Sequence, residues 1–176
     1  MKSFVKYGLL TGIISGLWSL GSFTVVAWLN TALFHQSIPA TQIRSYSGLF
    51  SLLILITGIY LGMKQTKVKG NTLTYGQAVK TGVIIACITA LIVAFFSYLY
   101  CAILNPGYAA FMVKDTENTL KAAGKTPQEI SRQLEEVRKQ FTTGAQVGMA
   151  LIGQAVIGII ASLILGLFVR TKKTIK

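Results

Sequence analysis

Residues 81–113 read TGVIIACITALIVAFFSYLYCAILNPGYAAFMV, thirty-three positions between Lys80 and Lys114 without one ionised side chain. An α-helix rises about 1.5 Å per residue, so crossing roughly 30 Å of hydrocarbon takes about 20 residues. The part before Pro106 is long enough, and no proline interrupts it. Its apolar residues run continuously rather than alternating, which argues against the wall of a β-barrel. A membrane-spanning helix over Gly82–Leu104 follows.

The flanking sequence repeats the pattern. Lys6 and Arg44 enclose 37 uncharged residues, Arg44 and Lys64 enclose 19, and Lys139 and Arg170 enclose 30. Pro39, Pro106 and Pro127 all fall between the apolar runs. The chain therefore reads as an all-α membrane protein, one integral domain over residues 1–176. Four transmembrane helices are expected at about Tyr7–Leu29, Tyr46–Met63, Gly82–Leu104 and Gly148–Val169. Residues 105–144 form an extracytoplasmic helical hairpin between the third and fourth. The first apolar run exceeds the 7–15 residues of a signal-peptide core, so it reads as a retained span.

Composition agrees. Hydrophobic residues make up 52% and charged residues 12%, with a mean hydropathy of +0.59, whereas soluble domains carry about 25% charged residues. A soluble enzyme, a disordered tail and a coiled coil are excluded. The net charge of +12 is scattered over short gaps and makes no basic face for nucleic acid. Ten basic residues and no acid fall on one side: Lys2 and Lys6, then Lys64, Lys67, Lys69 and Lys80, then Arg170, Lys172, Lys173 and Lys176. The other side holds seven basic residues and all five acids. By the positive-inside rule both termini are cytoplasmic. Trp28, Phe34, Tyr46, Tyr98, Tyr100 and Tyr108 suit an outer aromatic belt.

Each span carries small residues four apart, hence on one face. They are Gly8, Gly12 and Gly16; Gly58 and Gly62; Gly82, Ala86, Ala90 and Ala94; and Gly158, Ser162 and Gly166. In lipid such stripes let backbones approach and pack closely. They are expected to join the four spans to one another, in preference to pairing two chains through Gly8, Gly12 and Gly16. Gln154 stands apart, because lipid satisfies none of its amide hydrogen-bonding groups. It should face the bundle interior, with Thr24 or Ser97 as a partner by depth.

The outer segment carries helix punctuation. Asn105-Pro106 reads as a helix start and Gly124 as a helix stop. Thr126-Pro127-Gln128-Glu129 matches a capping box. Ile130, Leu134, Val137 and Phe141 then form one apolar stripe, a candidate partner surface. The opposite face offers Arg132–Glu136 and Glu135–Lys139 as pairs four apart. The stripe has three destinations: its own spans, the lipid surface or a partner.

Catalytic and metal-binding motifs do not emerge. His35 is a lone interfacial histidine. Cys87 and Cys101 sit about 21 Å apart along one helix, too far to bridge; both read as small membrane residues, although Cys101 near the outer surface could pair between chains. No acid lies within a span to move protons or cations, and the helices look unbroken, unlike those of many transporters.

The chain resembles a family of small four-span bacterial membrane proteins, domain of unknown function 4199. The resemblance rests on Lys6-Tyr7-Gly8, on Leu73-Thr74-Tyr75-Gly76-Gln77-Ala78 before the third span, on Pro106 beyond it, and on the charged hairpin, fourth span and basic tail. It implies a bacterial inner membrane with the hairpin in the periplasm, and no activity. The expected function is a non-enzymatic structural or accessory component whose hairpin contacts an envelope partner or caps its own bundle. The alternative is a small transporter or channel for a neutral or apolar solute, marked by a hydrated cavity reaching Gln154. The expected partners are the lipid bilayer and an envelope protein or a second copy, with no nucleic acid, cofactor or metal.

Overall fold

The computed structural model describes residues 3–34, 40–70 and 72–171, apart from the side chains of 3, 23–34, 40–44 and 68–70. Expectations for the side chains of Thr24, Trp28 and Phe34, and those for His35 and for the residues after Thr171, lie outside the described residues. The chain is helical: α1 Ser3–Phe34, α2 Ala40–Gly70, α3 Tyr75–Tyr98 with a π-helical continuation Leu99–Leu104, α4 Tyr108–Ala122, α5 Pro127–Gln140 and α6 Thr143–Val169. No strand occurs among the described residues. Ser45–Lys67, Tyr75–Leu104 and Thr143–Val169 are long and apolar enough to cross a membrane.

The helices overrun the apolar windows. α2 continues beyond Met63 to Gly70, because Lys64, Gln65 and Lys67 are good helix formers and no breaker precedes Gly70. α3 begins at Tyr75, before the charge at Lys80, because Thr74 caps it. The Thr74 hydroxyl accepts from the Gln77 N–H at 3.3 Å, and the Gln77 side chain accepts from the Thr74 N–H at 3.0 Å. One residue earlier, Leu73 and Thr171 clasp each other. The Leu73 N–H donates to Thr171 Oγ1 and the Thr171 N–H donates to the Leu73 carbonyl, both at 2.9 Å.

The third span is not α-helical to its end. Over Leu99–Leu104 it widens to a π-helix, a rare geometry often found at functional sites. The Asn105 N–H closes that stretch on the Tyr100 carbonyl at 2.7 Å, and its side-chain amide donates to the Tyr100 hydroxyl at 3.2 Å. Asn105 is thereby engaged backwards. It does not cap α4, which starts at Tyr108 after a turn rather than at Pro106. The other end of the arm follows the sequence signals. Gly124 takes φ +70° after α4, where glycine avoids the Cβ clash, and Thr126 forms the capping box of α5 with Pro127 at its start. The ion pairs on the arm are Glu117–Lys121 at 2.5 Å and Lys125–Glu129 at 3.9 Å, rather than Arg132–Glu136 and Glu135–Lys139. Exposed pairs of this kind are worth little and are settled by side-chain entropy.

Glycine contacts reveal the helix register. A Cβ placed on Gly8, Gly12 or Gly16 would collide with Ile88, Ile92 or Phe96 respectively. Each step of four along α1 is answered by a step of four along α3, so these helices run parallel. Gly58 abuts Thr11 and Gly62 lies against Ile85 and Tyr7, which makes α2 antiparallel to α1. Gly82 meets Ser162, Gly158 meets Ala86, and Gly166 meets Tyr75 and Val79, so α6 is antiparallel to α3. α3 thus packs between α1 and α6, while α2 touches all three. Ala90 and Ala94 are buried on the same helix. The Gly8-Gly12-Gly16 face is filled by α3 of the same chain.

The outside of the bundle, unlike that of a soluble protein, is as apolar as its interior. Its interior mixes Leu55, Ile59, Met63 and Ile85 with Ser15, Thr81, Thr89, Ala86 and Ser162, all buried. Its outside shows Leu17, Leu53, Leu91, Phe95, Ile152 and Phe168, the last 79% exposed. Interior hydroxyls bond locally or across helices: Ser162 donates to the Gly158 carbonyl at 2.6 Å and Thr89 to the Gly8 carbonyl at 3.3 Å.

Two predictions follow from this geometry. Gly158→Val should destabilise the bundle by about 1–3 kcal/mol through overpacking against Ala86, read as unfolding in mixed micelles. Gly148→Ala, whose Cβ meets nothing within 4 Å, should leave stability within about 1 kcal/mol. The second prediction concerns acid. The Lys121 ammonium holds the Glu117 carboxyl below its ordinary value of 4.5 by a hydrogen bond and by charge. The Thr126 N–H and hydroxyl, then Lys125, do the same for Glu129. Their contribution is complete above the unfolded value and is lost as pH falls through the lowered folded values. Amide exchange at the start of α5 should therefore gain protection steadily from acid up to about pH 4.5, and Glu129→Gln should flatten that dependence.

Candidate functional site

The sequence provides polar side chains at helical spacing on three spans, and the bundle brings them together. Ser15, Ser19 and Ser22 follow one face of α1, Ser47 and Ser51 share a face of α2, and Gln146, Gly153 and Gln154 lie along α6. With the exception of Ser15, these residues line a single cavity of about 460 Å³ in the arm-side half of the bundle. Val93 and Ser97 of α3, Tyr100 and Cys101 of the π-helical stretch and Tyr108 of α4 complete its wall. From Gln146 to Ile157 the wall descends about 16 Å along α6 at the helical rise, ending near the middle of that helix. Immediately beyond, Gly158 abuts Ala86 and Gly82 abuts Ser162, and Leu55, Ile59 and Met63 are fully buried. The cavity is blind on that side.

The arm closes part of the opposite side. Tyr108, Met112 and Phe141 form a buried cluster with Cys101, against which Tyr100, Ala109 and Val137 pack. The rings of Tyr100 and Tyr108 meet edge-on at 5.4 Å, and those of Tyr108 and Phe141 at 5.8 Å. Edge-to-face pairs of this kind add about 0.5–1.5 kcal/mol each beyond area burial. The predicted stripe on α5 is thus graded. Phe141 is buried at the foot, Val137 packs beside it, and Ile130 and Leu134 farther out are half-buried. At the junction with α6 the Gln146 amide donates to the Gln140 carbonyl at 2.7 Å, which ties the arm to the mouth of the cavity.

Gln154 is half-buried and lines the cavity together with Ser97. Its amide forms no hydrogen bond with a protein group among the described residues. Ser15, one turn further in from Ser19, is fully buried, and its hydroxyl meets no protein partner. The Trp18 indole N–H donates to the Ser47 carbonyl at 3.1 Å and its ring leans on Phe50 at 5.0 Å, fixing α1 to α2 beside the cavity. Among the described residues no lysine, arginine or carboxylate lines the wall. Those residues offer hydroxyls and amides, with no ionised group and no paired acid and base. Cys101 is buried against the cluster and borders the cavity rather than lying at the outer surface. Among the described residues no cluster of His, Cys, Asp and Glu could hold a metal ion.

Sequence reasoning identified Gln154, with Ser97 as a partner by depth, and assigned no role to Ser19, Ser22, Ser47, Ser51 or Gln146. The available signal was the coincidence of serines at helical spacing in α1 and α2 with two glutamines in the last span.

Neither a curated protein nor a solved structure matches the chain. A family model described as "Protein of unknown function (DUF4199)" matches residues 6–171, which takes in the cavity, the arm and nearly the whole of all six helices. The chain belongs to that family.

Proposed function

We propose that this protein is a four-span component of the bacterial inner membrane, non-enzymatic, with both termini in the cytoplasm and the α4–α5 arm in the periplasm capping its own bundle. The observation that carries this reading is the outside of the bundle, which large apolar side chains cover over an interior that is itself largely apolar. A soluble fold would not expose Ile152, Leu167 and Phe168 on one helix, whereas lipid makes such exposure favourable. α1 supplies the fourth span, since its glycine face packs on α3 as the other spans do and Leu9, Leu10, Ile13, Ile14 and Leu17 point outward. The lysine-rich side supports the orientation. The buried foot at Tyr108 and Phe141 supports capping, while the half-buried Ile130 and Leu134 remain the stretch available to an envelope partner.

A second reading, a carrier or channel for a neutral or apolar solute, is favoured by the cavity reaching Gln154. Its blind inner end makes it a vestibule in this conformation.

Trypsin added to intact spheroplasts should cleave within Lys114–Lys139 and spare Lys64–Lys69. Protection of the arm until lysis would overturn the orientation. Phe141→Ala should loosen the foot by about 3 kcal/mol and speed cleavage at Arg138 and Lys139 by tenfold or more; an unchanged rate would mean that the arm does not depend on this contact.

A further inference from the structure

We propose that the blind cavity is a binding site for a small uncharged solute rich in hydrogen-bonding groups, of the polyol or amide kind, admitted from the side on which the arm stands. The inference deepens the second reading above and rests on the four-span topology only for the side of entry. It does not require the solute to cross.

Size is the first support. A volume of about 460 Å³ falls within the roughly 300–1,000 Å³ typical of small-molecule sites. The glycines supply an independent one. At Gly8, Gly12, Gly58, Gly82 and Gly158 an added Cβ would collide with a neighbouring helix, so these glycines serve packing. At Gly48 and Gly153, both in the cavity wall, an added Cβ would meet nothing within 4 Å. Neither is needed for close approach, although each costs about 1 kcal/mol relative to alanine in a helix interior. Their effect is to keep the volume open.

Chemistry selects the occupant. Ser51, Ser97 and Gln154 present donors and acceptors without charge. An ion would surrender its hydration to described wall residues that carry no counter-charge. A lipid chain would leave the Gln154 amide facing hydrocarbon, a cost of about 1–3 kcal/mol for an unsatisfied group. An uncharged polar molecule avoids both penalties. The π-helical turn bearing Tyr100 and Cys101 puts a further unusual feature beside the same volume.

Cys101 lines the cavity, while Cys87 is exposed on the same span, so the Cys87→Ser full-length protein reports on the cavity through one thiol. Purified in detergent, it would be treated with an uncharged hydrophilic methanethiosulfonate. Glycerol, xylitol, glucose or urea would be added as neutral probes, and gluconate or glucosamine as charged ones. Cys101 should react, and at least one neutral probe should slow the reaction threefold or more with saturation, while the charged probes do not. Gly153→Val, which has room for its side chain in the fold, should abolish that protection without lowering the unfolding temperature. A thiol inert until denaturation, a rate unaffected by every probe, equal protection by the charged probes, or protection surviving Gly153→Val would each overturn the proposal. Because the readout is taken in detergent, its failure is separate from a failure of the protease test of topology.

Discussion

Close approach of helix backbones is the constraint on which the structure depends. Lipid tails are as apolar as leucine side chains, so association within a bilayer draws on packing and interhelical hydrogen bonds rather than on escape from water. α3 satisfies this demand on two sides by opposite means. Toward α6 it presents small residues, Gly82 and Ala86, to Ser162 and Gly158. Toward α1 it presents large ones, Ile88, Ile92 and Phe96, which sit on bare glycine backbone. Both arrangements bring helix axes together, and both are specific to one register, because a shift of one residue would drive side chains into backbone.

This economy explains what the sequence disclosed and what it concealed. Windows free of charge and stripes of small residues are one-dimensional patterns, so the helices and their packing faces were readable. The partner of each stripe was not. Nothing in the spacing of Gly8, Gly12 and Gly16 says that isoleucine and phenylalanine, rather than another glycine stripe, will fill them. Helix ends were legible where a side chain caps its own backbone, as at Thr126 and Gly124. They were misread where a side chain turned elsewhere, as when Asn105 bonds Tyr100 instead of α4. The π-helical stretch left no mark in composition. The cavity was hidden for a related reason. Serine is unremarkable within any one span, and only the convergence of four helices and the foot of the arm gathers the scattered hydroxyls around one cavity.

Glycine has two opposed uses in this molecule. Where Gly158 and Gly82 sit, the missing side chain is replaced by a neighbour and the bundle is dense. Where Gly48 and Gly153 sit, it is replaced by nothing. Along α6 the change from one use to the other falls at the turn between Ile157 and Gly158.

The hydrogen bonds at the two ends of α6 have a consequence of their own. Its outward face is so uniformly apolar that the surrounding hydrocarbon exerts almost no torque on it, and turning the helix about its axis would cost little solvation. Gln146 held by the Gln140 carbonyl at one end and Thr171 clasped to Leu73 at the other act as polar pins. Between them they set the azimuth of the helix, and so decide that its glutamines look inward and its isoleucines look out.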